Sequence, residues 1–365
     1  MEQFLLYSIV KIVCVIFLAL LPMVSYAVFV ERKVSAFIQD RVGPNRVGPF
    51  GLFQPFADMF KLILKEDYTP AHVRKFYFWI APAIAMIPSF LALAVVPFGS
   101  TLGNPNNKMV IADLNVGILY TFGIISLAVY GIVIAGYAAN SKYPFLGGIR
   151  SSAQMISYEL SLGMSVVPLF MLMADPAFDR VIAAATNGWR EFLAGSSSLN
   201  LNRLVAYQSG SIFDWLVFKQ PIAFVLFLVS SFAETNRLPF DLPEAETELV
   251  GGYHTECGSM KFGLFFLGEY AAMIAGSGLI VTLFLGGWTF PVGGLNAPAT
   301  SLSIGLAQIG VFLGKTAVLL LLMIWIRWMW PRFRFDQLMG LGWKRFIPLA
   351  LANIFITAVW LWFRA

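Results

Sequence analysis

The segment FAETNRLPFDLPEAETELVGGYHTE, Phe232 to Glu256, carries Glu234, Asp241, Glu244, Glu246, Glu248 and Glu256 against the single cation Arg237. These are six of the twenty acids in a chain that is 58% hydrophobic and 12% charged. Carboxylates crowded between two apolar runs raise one another's pKa and share protons as a coupled group, a chemistry of proton holding and transfer. Pro239 and Pro243 forbid a continuous helix through the segment. Asp241 and Glu244 have the spacing of a helix start, followed by a short helix ending at Gly251–Gly252. Within it Glu244 and Glu248 stand four apart on one face and repel each other. The plainer alternative is a solvated charged loop.

Three further ionisable residues fall inside apolar runs. Glu159 in ISYELSLG lies ~10 Å deep, Glu269 in FLGEYAAMI ~13 Å and Lys315 in FLGKTAVLL ~16 Å, at ~1.5 Å rise per residue. Charges at such depth cost several kcal/mol, so they face a bundle interior and mark an ion or proton path. A buried Glu–Lys pair is the structural alternative, although two acids and one base leave an acid over. Cys14, Cys257, His72 and His254 are the whole stock of soft ligands. Four cysteines for an iron–sulfur cluster are lacking, and a Cys/His zinc site would need all four residues together. No metal site is expected, and in redox chemistry another chain would carry the electrons.

The elements that must position these groups follow from hydropathy. A mean hydropathy of +0.75 with 15% aromatics describes an all-α integral membrane protein. Eight transmembrane helices are expected in a single membrane domain spanning 1–365, at about 4–30, 77–98, 114–137, 152–174, 215–233, 260–285, 304–328 and 343–363. Ten-residue segments of alternating polarity, the mark of a membrane barrel, are lacking. Of the 25 Lys and Arg, 17 lie in or beside the loops after spans one, three, five and seven, and 4 in the other loops. Positive loops stay cytoplasmic, so both termini are expected outside and the acidic loop inside. The net charge of +5 reflects this topology rather than nucleic-acid binding. Glu2 before a long first run, Phe4 to Val30, argues against a cleavable leader.

Between the first two spans, residues 52–65 place Leu52, Phe53, Phe56, Met59, Phe60, Ile63 and Leu64 on one helical face and Gln54, Asp58, Lys61 and Lys65 on another. Too short to cross, this is expected as an interfacial amphipathic helix. The alternative packs it on the ends of the spans. The loops ERKVSAFIQDRVGPNRVGPFG and PRFRFDQLMGLGWKR supply Arg32, Arg41 and Arg46, and Arg332, Arg334 and Asp336. Topology and lipid headgroups alone would account for any one of these arginines. The outer loop 175–214 shows no chemistry, and the chain shows no internal repeat.

The two arginine loops, GLFQPFADMFKLILKED, SKYPFLGGIRSSAQMISYE, ETNRLPFDLPEAETELVGGYHTE and FFLGEY resemble the H-subunit family of bacterial proton-pumping NADH:quinone oxidoreductase, respiratory complex I, and occur in that family's order. The resemblance runs from about residue 4 to 363. It departs at Cys257, where an aromatic residue is expected, and in an extended outer loop at 186–200. It implies a subunit of the bacterial cytoplasmic (inner) membrane at the junction of the complex's two arms. There it would form the narrow chamber that admits a lipid quinone, the substrate. FMN and iron–sulfur clusters would sit in partner subunits. The implied partners are the soluble quinone-site subunits and the antiporter-like membrane subunits. Glu159, Glu234, Glu244, Glu246, Glu248 and Glu269 would form the proton path, with Lys315 added from its depth. Arg32, Asp58, Arg237 and Arg332 would line the quinone chamber, with Arg41 and Arg334 beside them. A membrane subunit of a related hydrogenase complex, a stand-alone ion transporter using Glu159, Glu269 and Lys315, and a structural anchor are the competing functions.

Overall fold

The computed structural model describes residues 2–102, 108–175, 188–193, 196, 199–243, 246–292 and 294–364; of residues 2–6, 191, 246 and 247 only the backbone is described. Among them no β-strand forms beyond a single bridge between Thr101 and Lys108. Among the same residues seven helices are long and apolar enough to cross a membrane: α1 (Tyr7–Ile38), α3 (Lys75–Val95), α4 (Gly117–Ala138), α5 (Lys142–Met173), α7 (Ser259–Phe284), α8 (Leu302–Met329) and α9 (Phe335–Arg364). Two shorter helices, α2 (Gln54–Leu64) and α6 (Pro221–Glu234), complete the frame.

The helix boundaries depart from the hydropathy spans for local reasons. α1 runs to Ile38 rather than Val30, because helical backbone continues through the charged ERK triplet. α5 starts ten residues before its expected span, at Lys142, so polar Arg150 and Gln154 are helical. The expected fifth span, 215–233, is split: a one-turn helix ends at non-helical Gln220, and Pro221 opens α6 at a position where its missing N–H costs nothing. α6 therefore has 14 residues.

α7 is the centre of the bundle, with 67% of its apolar window buried, whereas α9 is peripheral at 17%. α7 packs against α3, α8 and α1, while α5 packs against α4, α6 and α9. Small residues allow the close crossings. A Cβ on Gly131 of α4 would stand 2.4 Å from the Ala85 nitrogen of α3, and one on Gly136 would stand 2.5 Å from the Pro144 oxygen of α5. At the C-terminal end of α7 fully buried Gln208 accepts from the Leu216 and Gly286 amides at 3.1 and 3.0 Å and donates to the carbonyls of Thr282 and Leu283. The 175–214 loop, silent in sequence, thus caps α7 through Gln208. Trp189 stacks on Trp288 beside it, with ring centroids 5.5 Å apart.

α2 is tied to the ends of α1 and α7. Arg32 pairs with Asp58 at 2.7 Å, and Ser259 donates to the carbonyls of Leu62 and Lys65 at 3.0 and 2.9 Å. Its apolar residues Phe56, Met59, Phe60, Ile63 and Leu64 are exposed, and no residue of α2 is buried. The loop before it turns at Gly51, whose φ of +83° and 2.2 Å Cβ approach to the Pro44 oxygen admit only glycine.

A buried carboxylate–guanidinium network at one end of the bundle

Arg237 emerges just beyond α6 and turns inward, with its side chain 4% exposed. A buried guanidinium must be paired, and its donors find carboxylates on two other helices. It donates to Glu31 of α1 at 2.8 Å and, through its Nε, to Glu269 of α7. Glu31 also accepts from the Tyr270 hydroxyl at 2.7 Å and from Arg327 of α8. The Tyr270 ring lies under the Arg237 guanidinium, 4.1 Å from centroid to Cζ. Two acids and two arginines drawn from α1, α7, α8 and the acidic loop thus balance each other's charge.

Glu31, Arg327 and Tyr270 escape a reading of the sequence alone. Glu31 falls just past the expected end of span one, and its partner Arg237 lies 206 residues away. A signal is present nonetheless: the buried residues of the second half of α1 are Val24, Ala27, Glu31, Ser35 and Ala36. Extending the helix by two turns puts Glu31 on that inward stripe. Arg327 gives no such signal, because by its position it counts as one more cytoplasmic cation.

Glu269 and Glu234, from α7 and α6, line the same cavity of about 50 Å³, together with Ser89, Asn236 and Tyr253. At roughly 10–15 Å³ per water it has room for about three. Glu234 makes no ion pair among the described residues. Glu159, half-buried beside Ser126, is near enough to Glu234 for the two charges to repel.

Of the other acids of the loop, Asp241, Glu248 and Glu256 turn to three separate partners. Asp241 pairs with Arg332 at 2.9 Å, Glu248 with Arg150 at 2.6 Å, and Glu256 faces His72 at 3.7 Å. The expected short helix is the single turn Glu246–Leu249, followed by a tighter turn at Gly252–His254. Glu244, and with it the expected repulsion against Glu248, lies outside the described residues. Gln154 of α5 holds the loop against the bundle by donating to the carbonyls of Ala233 and Phe240 at 2.6 and 2.8 Å. The Phe333 amide, donating to the Pro239 carbonyl at 3.1 Å, joins this loop to the second arginine loop. Burial of His254, ringed by Tyr253, Phe262 and Phe266, lowers its pKa to about 4.

Lys315 stands apart from the acids. Its Nζ donates to the carbonyls of Leu285, Gly287 and Thr289 at 2.6, 3.1 and 2.7 Å, just past the far end of α7. Sixteen residues of helix separate Glu269 from Leu285, ~24 Å, so the Glu–Lys pair considered from sequence does not form. Arg41 is exposed, and Arg334 pairs at 3.7 Å with Asp336, both side chains more than 70% exposed. Among the described residues no three His, Cys, Asp or Glu side chains group as a metal site.

Seven membrane-length helices enclosing an ion-pair network define a multi-pass membrane protein whose charged groups are held by tertiary structure. The model of the NADH dehydrogenase family matches residues 10–358, and the chain belongs to that family, in its branch of H subunits of NADH-quinone oxidoreductase. The chain is similar to one such H subunit of Geobacter metallireducens, 47% identical over 94% of each chain. It is also similar to an NADH-quinone oxidoreductase H subunit of Koribacter versatilis, 45% identical over 98% of this chain and 97% of the relative. The NADH-quinone oxidoreductase subunit 8 of Rhodothermus marinus is 44% identical over 97% of each. These relatives decide between the functions left open by sequence: the family is that of the quinone oxidoreductase complex.

Proposed function

We propose that this chain forms the quinone-access chamber of a proton-translocating NADH:quinone oxidoreductase and couples quinone reduction to proton movement. The observation that carries the reading is the Glu234–Glu269 cavity joined, through Arg237 and Glu31, to the α1 end that holds Arg32 and Asp58. Reduction of a quinone takes up two protons and creates transient negative charge. Arg32, Asp58 and the Arg332–Asp241 pair line the headgroup's approach, with Arg41 and Arg334 nearer its mouth. The charge is felt by Glu31, next to Arg32 on α1, and passed through Arg237 to Glu269. Glu269, ionised against Arg237, responds by taking up a proton released by Glu234 through water in the cavity. Glu159 and the loop acids Glu244, Glu246 and Glu248 extend the path on either side, and Lys315 lies beyond them toward the opposite face.

In this reading α6 is the eighth crossing, completed by the turns before it, in one membrane domain. α2 lies in the interface with its phenylalanines in lipid. Both termini face outward from a bacterial inner membrane, as the positive-loop count supports. FMN and the iron–sulfur clusters reside in soluble partner subunits, and antiporter-like subunits receive the proton signal. Purification of the tagged chain in mild detergent tests the assignment: NADH:quinone reductase activity should elute with flavin- and iron-bearing partners. A lone polypeptide, under conditions that keep other membrane complexes intact, would overturn it.

A further inference from the structure

At the opposite end of the bundle from the ion-pair network, a cavity of about 610 Å³ opens between α5, α6 and α9. Its volume falls in the ~300–1,000 Å³ range of small-molecule sites. Its cause is the length of α6. Fourteen residues span ~21 Å, short of the ~30 Å of hydrocarbon, whereas α5 and α9 continue past it. The shortfall leaves a notch above Pro221 that occupies the last ~9 Å of hydrocarbon and opens to the headgroups.

The walls of the notch have two characters. Among the described residues Lys219 and Arg364 are its ionisable side chains besides Tyr207, and no acid lines it. Both cations sit over aromatic rings at the level where such rings anchor to an interface, Lys219 4.7 Å from the Tyr207 centroid and Arg364 5.1 Å from that of Trp360. Two acids stand nearby: Asp175 close to Tyr207, and Asp214, which reaches Lys219 at 3.2 Å but commits its other oxygen to the Ser211 amide and hydroxyl. Deeper in, Asn353 donates to Gln220 at 3.1 Å and Gln220 to Thr357 at 3.1 Å, so the polar wall is closed on itself. Ile222 and Ile356, both exposed, continue the notch along the bundle surface as an apolar track.

Two cations at the mouth, aromatic rings at interface height and an apolar track below match the parts of one molecule. We infer that the notch is a binding site for an anionic phospholipid. Its phosphate lies between Lys219 and Arg364, and its acyl chains run along Ile222 and Ile356. The lipid fills the mismatch left by short α6 and holds α9, the least buried crossing helix, to the bundle. The site rests on the eighth crossing proposed above but on none of the quinone chemistry, so lipid binding tests it independently of turnover.

The test counts lipid on the assembled, detergent-purified complex. The complex is exchanged into mixed phosphatidylglycerol and phosphatidylcholine micelles, and retained lipid is measured by native mass spectrometry for wild type, K219Q/R364Q and I222W/I356W. A retained phosphatidylglycerol is expected in wild type, held about fivefold less well for each cation removed. The tryptophan variant keeps both charges, fills the track and should lose the same lipid. Two results would each overturn the inference: equal retention of the two lipids by wild type, or retention unchanged in both variants. So would variants that shed a partner subunit while keeping the lipid, because the notch would then be a protein interface.

Discussion

Arg237 bridges two carboxylates that the chain separates by more than two hundred residues: it donates to Glu31 of α1 at 2.8 Å and from its Nε to Glu269 of α7. Removing this guanidinium leaves buried Glu269 without its partner and Glu31 with only Arg327 and the Tyr270 hydroxyl, which is costlier than never having made the pair. Substitution R237M is expected to destabilise the chain by about 3–5 kcal/mol, seen as loss of this subunit from the purified complex on mild heating. R237K should recover part of the loss, since an ammonium keeps the charge but not the fork that reaches both acids.

Helix crossings give a contrast between two glycines. G131A drives a Cβ to within 2.4 Å of the Ala85 backbone nitrogen, where nothing flexible can move aside. It should cost about 1–3 kcal/mol or more. G163A on α5 meets nothing within 4 Å and should be neutral or stabilising by up to about 1 kcal/mol. Thermal unfolding of the two purified variants compares them directly.

The stability of the inner loops should depend on acid pH through His254. Burial holds its folded-state pKa at about 4, below the ~6.5 of an unfolded histidine. The unfolded chain therefore binds the proton first as pH falls. The stabilisation from the neutral ring is complete above pH ~6.5 and is lost progressively toward pH ~4, on the order of 2 kcal/mol. The wild-type melting temperature should fall more steeply across that window than that of H254F. Parallel slopes would remove His254 as the cause.

Lys315 separates support from transport. K315M leaves the carbonyls of Leu285, Gly287 and Thr289 without their charged donor and should destabilise by about 1.5–3 kcal/mol or more. K315Q keeps a donor and should recover stability. If Lys315 also lies on the proton path, assembled K315Q will still translocate fewer protons per NADH. A normal ratio would confine Lys315 to capping α7.

Much of the helical frame is legible in the sequence, because twenty apolar residues in a row have few other uses. Glu159, Glu234 and Glu269 stand out because an acid amid apolar residues is conspicuous; Glu234 and Glu269 line one cavity, and Glu159 lies near Glu234. The arginine side of the network is harder to see. Glu31 and Arg327 sit where a helix leaves its apolar run, Glu31 just past the expected span and Arg327 at the edge of one, where a charge reads as loop-side. Nor does local sequence reveal that Asp241, Glu248 and Glu256 are drawn to Arg332, Arg150 and His72 in three directions. Partners so distant in the chain are assigned only by the tertiary fold. Lys315 admits two readings for a related reason. Depth alone suggests an ion path, but the carbonyls that α7 exposes at its end want a cation equally.

The central claim is that Glu269 transmits quinone chemistry to proton movement. Its most direct test is E269Q in the assembled complex, reconstituted into vesicles, with NADH oxidation and proton uptake followed together. Glutamine keeps the shape and leaves Glu31 paired with both arginines, so assembly should survive. Protons translocated per NADH, or quinone reduction itself, are expected to fall by about tenfold or more. Normal turnover with normal proton yield in an intact E269Q complex would contradict the claim.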